Sequence, residues 1–210
     1  MRHKVCALLA VAVFSCSSEP LPPANPTPDP TQPVVSAARG NLRFKGPERL
    51  NNDLAAALEL DPQTVCTELG MYQCTALVHT VSLGGVEPYG AGLYESTGTA
   101  VATPLVVERL AWSACTQRVN ADLANPGAAV LFGGVPLNGG KLVDAAGEPV
   151  RAVIGALTQR ALQRDPYERE MTRYTKLARD IEASGAAEPA RAFFQALCFA
   201  VLSSTESVFY

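Results

Sequence analysis

Seven of the chain's 16 prolines fall between Pro20 and Pro33. Each proline fixes φ near −65° and removes a backbone donor, so this stretch supports neither helix interior nor sheet. It divides the chain. Around it lie Ser, Thr, Asn and Ala; from about residue 40 onward Ala, Leu, Val and charged residues take over. A polyproline II segment of about 22 residues reaches at most roughly 70 Å. The stretch is therefore a tether, and the folding part of the chain begins behind it.

Residues 1–16 read MRHKVCALLAVAVFSC. Arg2 and Lys4 precede an apolar run from Val5 to Phe14. That run is far short of the roughly 20 residues a spanning helix needs, and the pattern is that of an export signal. The closing Val13-Phe14-Ser15-Cys16 resembles a bacterial lipobox, with Phe14 bulkier than is usual at its place. The resemblance implies cleavage before Cys16 and lipid, such as palmitate, on its thiol and new N-terminus. Ser17 stands where an Asp commonly retains lipoproteins at the inner membrane, which by the same resemblance implies the outer membrane of the cell envelope. Without Arg2 and Lys4 the mature chain holds 15 basic against 20 acidic groups, a net −5. An acidic chain with no basic block is not built for nucleic acid, nor for electrostatic adhesion to anionic lipid. Attachment falls to acyl chains, and two or more anchor stably where one does not. The expected layout is a signal over 1–15, lipidated Cys16 and a linker over 16–39, and one domain over 40–210.

That domain reads as helical. Gly46-Pro47-Glu48 places proline at a first helical position, and Leu50, Leu54, Ala57 and Leu58 recur at helical spacing. Asp61-Pro62 repeats the signal, predicting a short helix carrying Val65 and Leu69 that Gly70 ends. Residues 72–83 read as helix through Leu77, Val78 and Val81, although their β-branched content also allows a strand. Thr103-Pro104 opens a helix whose Val107, Leu110, Ala111, Ala114 and Cys115 make one apolar stripe, with Trp112 on a second face. Pro149 starts another, with Val150, Val153, Ile154 and Leu157 on one side. Asp165-Pro166-Tyr167-Glu168 predicts an acidic cap and a helix bearing Met171, Tyr174, Ala178 and Ile181, with Glu170 pairing to Arg173 and Lys176 to Asp180. Glu188-Pro189 opens the last helix, apolar nearly all round and so central. The expected fold is mainly α, about six or seven helices with two Gly-rich loops. The second loop, residues 127–148, carries Asn138-Gly139 as the turn of a small β-hairpin between Leu131-Phe132 and Leu142-Val143.

Cys6 leaves with the signal and Cys16 takes lipid. Cys66, Cys74, Cys115 and Cys198 remain, an even set in an exported chain, which reads as disulfides with three possible connectivities. On one helix Cys66 and Cys74 would stand about 12 Å apart, beyond the roughly 7 Å limit for a bridge. Gly70 breaks the chain between them, so the expected pairs are Cys66–Cys74 and Cys115–Cys198. Loop entropy assigns these upper values of roughly 2.6 and 4.6 kcal/mol.

No catalytic set emerges. His79 is the one histidine of the mature chain, and there is no G-x-S-x-G, phosphate loop or dinucleotide fingerprint. The first Gly-rich loop, residues 84–103, offers Glu87, Tyr89, Tyr94 and Glu95 as a candidate binding surface. The competing reading is a packed connector whose tyrosines cover the core edge. Two acids such as Glu87 and Glu95 would serve an enzyme acting on envelope glycans if they faced one cleft. His79 and Met71 are residue types that ligate haem.

One longer likeness exists. Arg160-Ala161-Leu162-Gln163-Arg164-Asp165-Pro166, followed by Glu168 and Tyr174, resembles the R-A-F-R-R-P…E…Y pattern of helical domains in planctomycete-type cytochrome-associated proteins. Ala196-Leu197, Ser203-Ser204 and Val208-Phe209-Tyr210 follow the outline of their next helix, and Arg49-Leu50-Asn51-Asn52-Asp53-Leu54 resembles an early one. Leu162 replaces their usual Phe, no proline follows Ser203, and their C-x-x-C-H haem motif is absent. The resemblance implies a helical accessory module and carries over no catalytic residue. The leading expectation is a non-enzymatic, disulfide-stapled, lipid-anchored protein, with no cofactor, that docks an envelope protein. The alternatives are a redox-accessory protein with non-covalent haem, and the glycan-acting enzyme.

Overall fold

The computed structural model describes residues 42–210 except 88, 91, 93, 96 and 97. The export segment, Cys16 and the proline-rich tether lie outside the described residues. In chain order the elements are α1 (Gly46–Leu58), β1 (Thr67–Glu68), β2 (Tyr72–Gln73), α2 (Thr103–Ala124), β3 (Leu137–Asn138), β4 (Lys141–Leu142), α3 (Glu148–Leu162), α4 (Glu168–Ala183), α5 (Pro189–Leu202) and α6 (Thr205–Val208). The fold is mainly helical, as the apolar spacing predicts. Prolines stand in the first turns of α1, α2, α3 and α5, where the missing N–H has no partner to lose.

The core is built around α5. This helix packs against α2, α3, α4, α6 and β4, which is why it is apolar on nearly every side. Its Phe193, Phe194, Leu197, Cys198, Val201 and Leu202 are all buried. Phe132 stacks on Phe194 with ring centroids 4.6 Å apart. From α2 come Val107, Leu110, Ala111, Ala114 and Cys115, the predicted stripe, all buried. Trp112 stays half exposed and meets Phe199 of α5 edge-on at 5.9 Å. The Cys115–Cys198 disulfide, with Cα atoms 5.7 Å apart, ties α2 to α5 at the centre of the core.

The first and last described segments close on each other. Arg43 N–H donates to the Tyr210 carbonyl and Tyr210 N–H to that of Arg43, each at 3.0 Å. Phe44 and Phe209 face one another across this bridge, edge to face at 5.9 Å.

Four local expectations are corrected. Residues 62–66 are not helical. Asp61 Oδ1 accepts the Gln63 N–H, a turn that consumes the supposed cap. Asn51 and Gln73 both donate to the Pro62 carbonyl, and Ser113 and Gln117 to that of Val65. Carbonyls given to these four side chains are not available to a helix. The chain then folds into the β1–β2 hairpin, Thr67 opposite Gln73, rather than continuing to Gly70 as a helix. Residues 72–83 are in turn split into β2, a π-helical turn (Cys74–Val78) and a 3-10 turn (Val81–Leu83). The hairpin of the second Gly-rich loop exists, but it pairs Leu137 with Leu142 and turns at Gly139 and Gly140; Leu131 and Phe132 belong to the core instead. Finally, α4 is capped two residues later than Asp165. The Glu170 carboxylate accepts the Tyr167 N–H at 2.8 Å, the reciprocal half of a capping box.

Two buried charges hold the loop after α2. Asp122, 0% exposed, accepts the N–H groups of Val130, Leu131 and Phe132 at 3.0, 2.9 and 2.9 Å. Arg118, one helical turn earlier, pairs with it at 2.8 Å and donates to the Leu58 carbonyl. This set fixes Phe132 against Phe194. Its only sequence trace is the i, i+4 spacing of Arg118 and Asp122.

Candidate docking surface

The β1–β2 hairpin is exposed at its turn and constrained at its base. Cys66 and Cys74 bridge its base, with Cα atoms 5.4 Å apart. The Cys74 N–H donates to the Cys66 carbonyl across the same base. At the turn, Leu69 and Gly70 have φ of +50° and +74°. Glycine adopts this region without cost, whereas Leu69 holds it because the paired strands and the disulfide fix both ends.

Glu68 locks the hairpin to its surroundings. One carboxylate oxygen lies 3.0 Å from His79 Nε2 and the other 2.5 Å from Arg109 Nη2 on α2. Glu68 and Arg109 carry no local sequence signal, since 41 residues separate them and no short-range pattern joins them. His79 is therefore a structural partner of Glu68, with one ring nitrogen engaged. Met71 stands on the turn, 69% exposed. The two do not form a buried pair of axial ligands.

On this clipped frame the large apolar side chains point outward. Leu69 is 86% exposed and Leu77 66%, and Tyr72 and Val78 are close to half exposed. Leu105 and Trp112, on the same side of α2 as Arg109 by helical spacing, are also exposed. Isolated exposed apolar residues are ordinary, whereas contiguous apolar patches commonly serve as interaction surfaces, which makes this group the candidate.

The residues singled out in the first Gly-rich loop do not converge on a cleft. Tyr89 and Tyr94 are 98% and 78% exposed, so they do not cover the core edge, and Glu95 is exposed as well. Glu87 bends onto its own loop. Its carboxylate accepts the N–H groups of Tyr89 at 3.1 Å and Gly90 at 2.7 Å. That role is structural, a side chain closing a turn.

A second charged cluster lies at the junction of α3, α4 and α6. The Arg164 guanidinium grips Glu170 through both oxygens at 2.8 and 2.9 Å and Glu206 through both at 2.7 and 2.6 Å. Tyr167 lies beneath it, 4.1 Å from ring centroid to guanidinium carbon. Glu170 thus pairs with Arg164 rather than Arg173, while Lys176 pairs with Asp180 as spaced. Hydrogen bonding to Arg164 holds both carboxyls below their ordinary range. The Tyr174 hydroxyl is pushed up, chiefly by burial.

Among the described residues, no group of three or more His, Cys, Asp or Glu side chains frames a metal site, and no helix is long and apolar enough to cross a membrane. No protein-family model, curated protein or solved structure matches the chain.

Proposed function

We propose that the chain is an exported lipoprotein, anchored through Cys16, whose helical domain is a non-enzymatic docking module for an envelope protein. The observation that carries this reading is the disulfide-clipped hairpin. Leu69, Met71, Tyr72, Leu77 and Val78 are exposed within ten residues of chain, on a unit fixed by Cys66–Cys74 and by Glu68. A rigid apolar projection binds with little ordering cost, which is the physical basis of pre-organised recognition. The acidic mature chain, the tether and the lipobox resemblance supply the address.

The test is a photoreactive side chain at position 71, expressed in intact cells. One discrete adduct, lost when Leu77→Asp is added, is the expected result. An adduct pattern indifferent to Leu77→Asp, or none, contradicts docking at this face.

A further inference from the structure

The apolar tip of the hairpin has one chemically reactive member. Met71 is 69% exposed, in a turn whose neighbours Leu69 and Tyr72 are exposed as well. Its backbone is held in place. The Met71 N–H donates to the Glu68 carbonyl at 3.0 Å, and the Cys66–Cys74 disulfide closes the base of the same hairpin. The thioether therefore stands largely in solvent on a fixed backbone.

Two-electron oxidants such as hydrogen peroxide react with thiolates and thioethers according to their accessibility. Cys66, Cys74, Cys115 and Cys198 are already joined as disulfides, so among the described residues no thiol competes for the oxidant. The described residues hold two methionines. The second, Met171 on α4, is partly buried and packed against the core. An oxidant thus meets its most accessible thioether in the middle of the docking surface.

The step balances with hydrogen peroxide as co-reactant. A lone pair of the Met71 sulfur takes one peroxide oxygen. The S–O bond forms as the O–O bond breaks, and the other oxygen leaves as water with both peroxide protons. Sulfur gives up two electrons and the peroxide gains them. The product is a sulfoxide, polar where the thioether was apolar. Buried without a donor in an apolar interface, its oxygen opposes docking. A dithiol reductant reverses the step, yielding the thioether, a disulfide and water.

We infer that Met71 is an oxidation switch on the docking surface: the thioether form docks and the sulfoxide form does not. The inference rests on the docking reading for its consequence, while its chemistry takes place on the free chain, where the tip is uncovered. The switch acts on the surface and leaves the fold alone, because the Met71 side chain is mostly outside the core.

The experiment treats the full lipidated chain in detergent with dilute hydrogen peroxide and follows each methionine by peptide mass mapping. Met71 should gain oxygen roughly fivefold faster than Met171. The same chain, carrying a photoreactive side chain at position 72, is then freed of peroxide and mixed with envelopes from cells that lack it. Oxidation should lower the yield of the discrete adduct roughly tenfold, the effect of one unmet buried acceptor. A methionine sulfoxide reductase should restore it, and a Met71→Leu chain treated in the same way should keep it. Oxidation of Met71 no faster than of Met171, an adduct indifferent to oxidation, or equal loss in the Met71→Leu chain would overturn the switch while docking stands. No adduct from the untreated chain would instead remove the docking reading, and the switch with it.

Discussion

Glu68 on the hairpin reaches Arg109 on α2 with its second oxygen 2.5 Å from Nη2, while its first holds His79. The contact adds to the Ser113 and Gln117 hydrogen bonds that already hold the foot of the hairpin, at Val65, against α2. Arg109 is more than half exposed, so screening limits the energy of the pair to about 1 kcal/mol or less. Glu68→Gln should therefore change global urea stability little. It should instead raise amide hydrogen exchange across the Cys74–Val78 turn, since local opening responds to the loss of a local clamp. A large global loss with no local change would contradict this role.

Asp122 behaves differently because it is wholly buried and meets four partners. Asp122→Ala leaves three loop N–H groups without an acceptor and the buried Arg118 without its counter-charge. The expected cost is about 3 kcal/mol or more, read from denaturant midpoints at constant m-value. Near-ultraviolet circular dichroism should also change, because the loop positions Phe132 on Phe194.

The Arg164 cluster predicts an acid-sensitive junction. Glu170 and Glu206 are held below the ordinary 4.5, first by their hydrogen bonds to Arg164. A depressed folded-state value means stability that is fully present above the unfolded value and lost as pH falls through the folded one. Comparison of Arg164→Met with wild type should show the larger stability gap above pH 4.5, closing on acidification below it. The partial exposure of both carboxylates keeps the gap modest. A gap that widens toward acid would contradict the assignment.

The two disulfides should contribute unequally. They close loops of sequence separation 8 and 83, and the loop-entropy difference favours Cys115–Cys198 by about 2 kcal/mol. Paired Cys→Ala replacement, measured by urea denaturation, should show the larger loss at Cys115 and Cys198. The Cys66 and Cys74 pair should instead cost docking at the hairpin more than stability.

The parts of the fold legible in sequence are those with local causes. Pro47, Pro104, Pro149 and Pro189 announce their helices because the first turn needs no N–H there. The stripes of α2 and α5 are visible because burial repeats at helical spacing. The hairpin is invisible for the opposite reason. Pro62 and Val65 give their carbonyls to Asn51, Gln73, Ser113 and Gln117, up to 52 residues away. A helical start signal at Asp61-Pro62 is then spent on a turn. Glu68, Arg109 and Arg164 were hidden likewise, since their partners are set by how helices cross rather than by spacing along one of them. The loop acids Glu87 and Glu95 illustrate the limit of composition. Glu87 closes its own turn, and Glu95 stands exposed.

In the proposed function anchor and fold are separable, with Cys16 giving the address and residues beyond the tether giving the structure. Cys16→Ser tests this most directly. In cell fractionation with palmitate labelling, the wild-type chain should carry label and sediment with membranes. The variant should lose both while keeping the same denaturation midpoint. A Cys16→Ser chain that still sediments with membranes like wild type, or that loses its fold, would contradict the central claim.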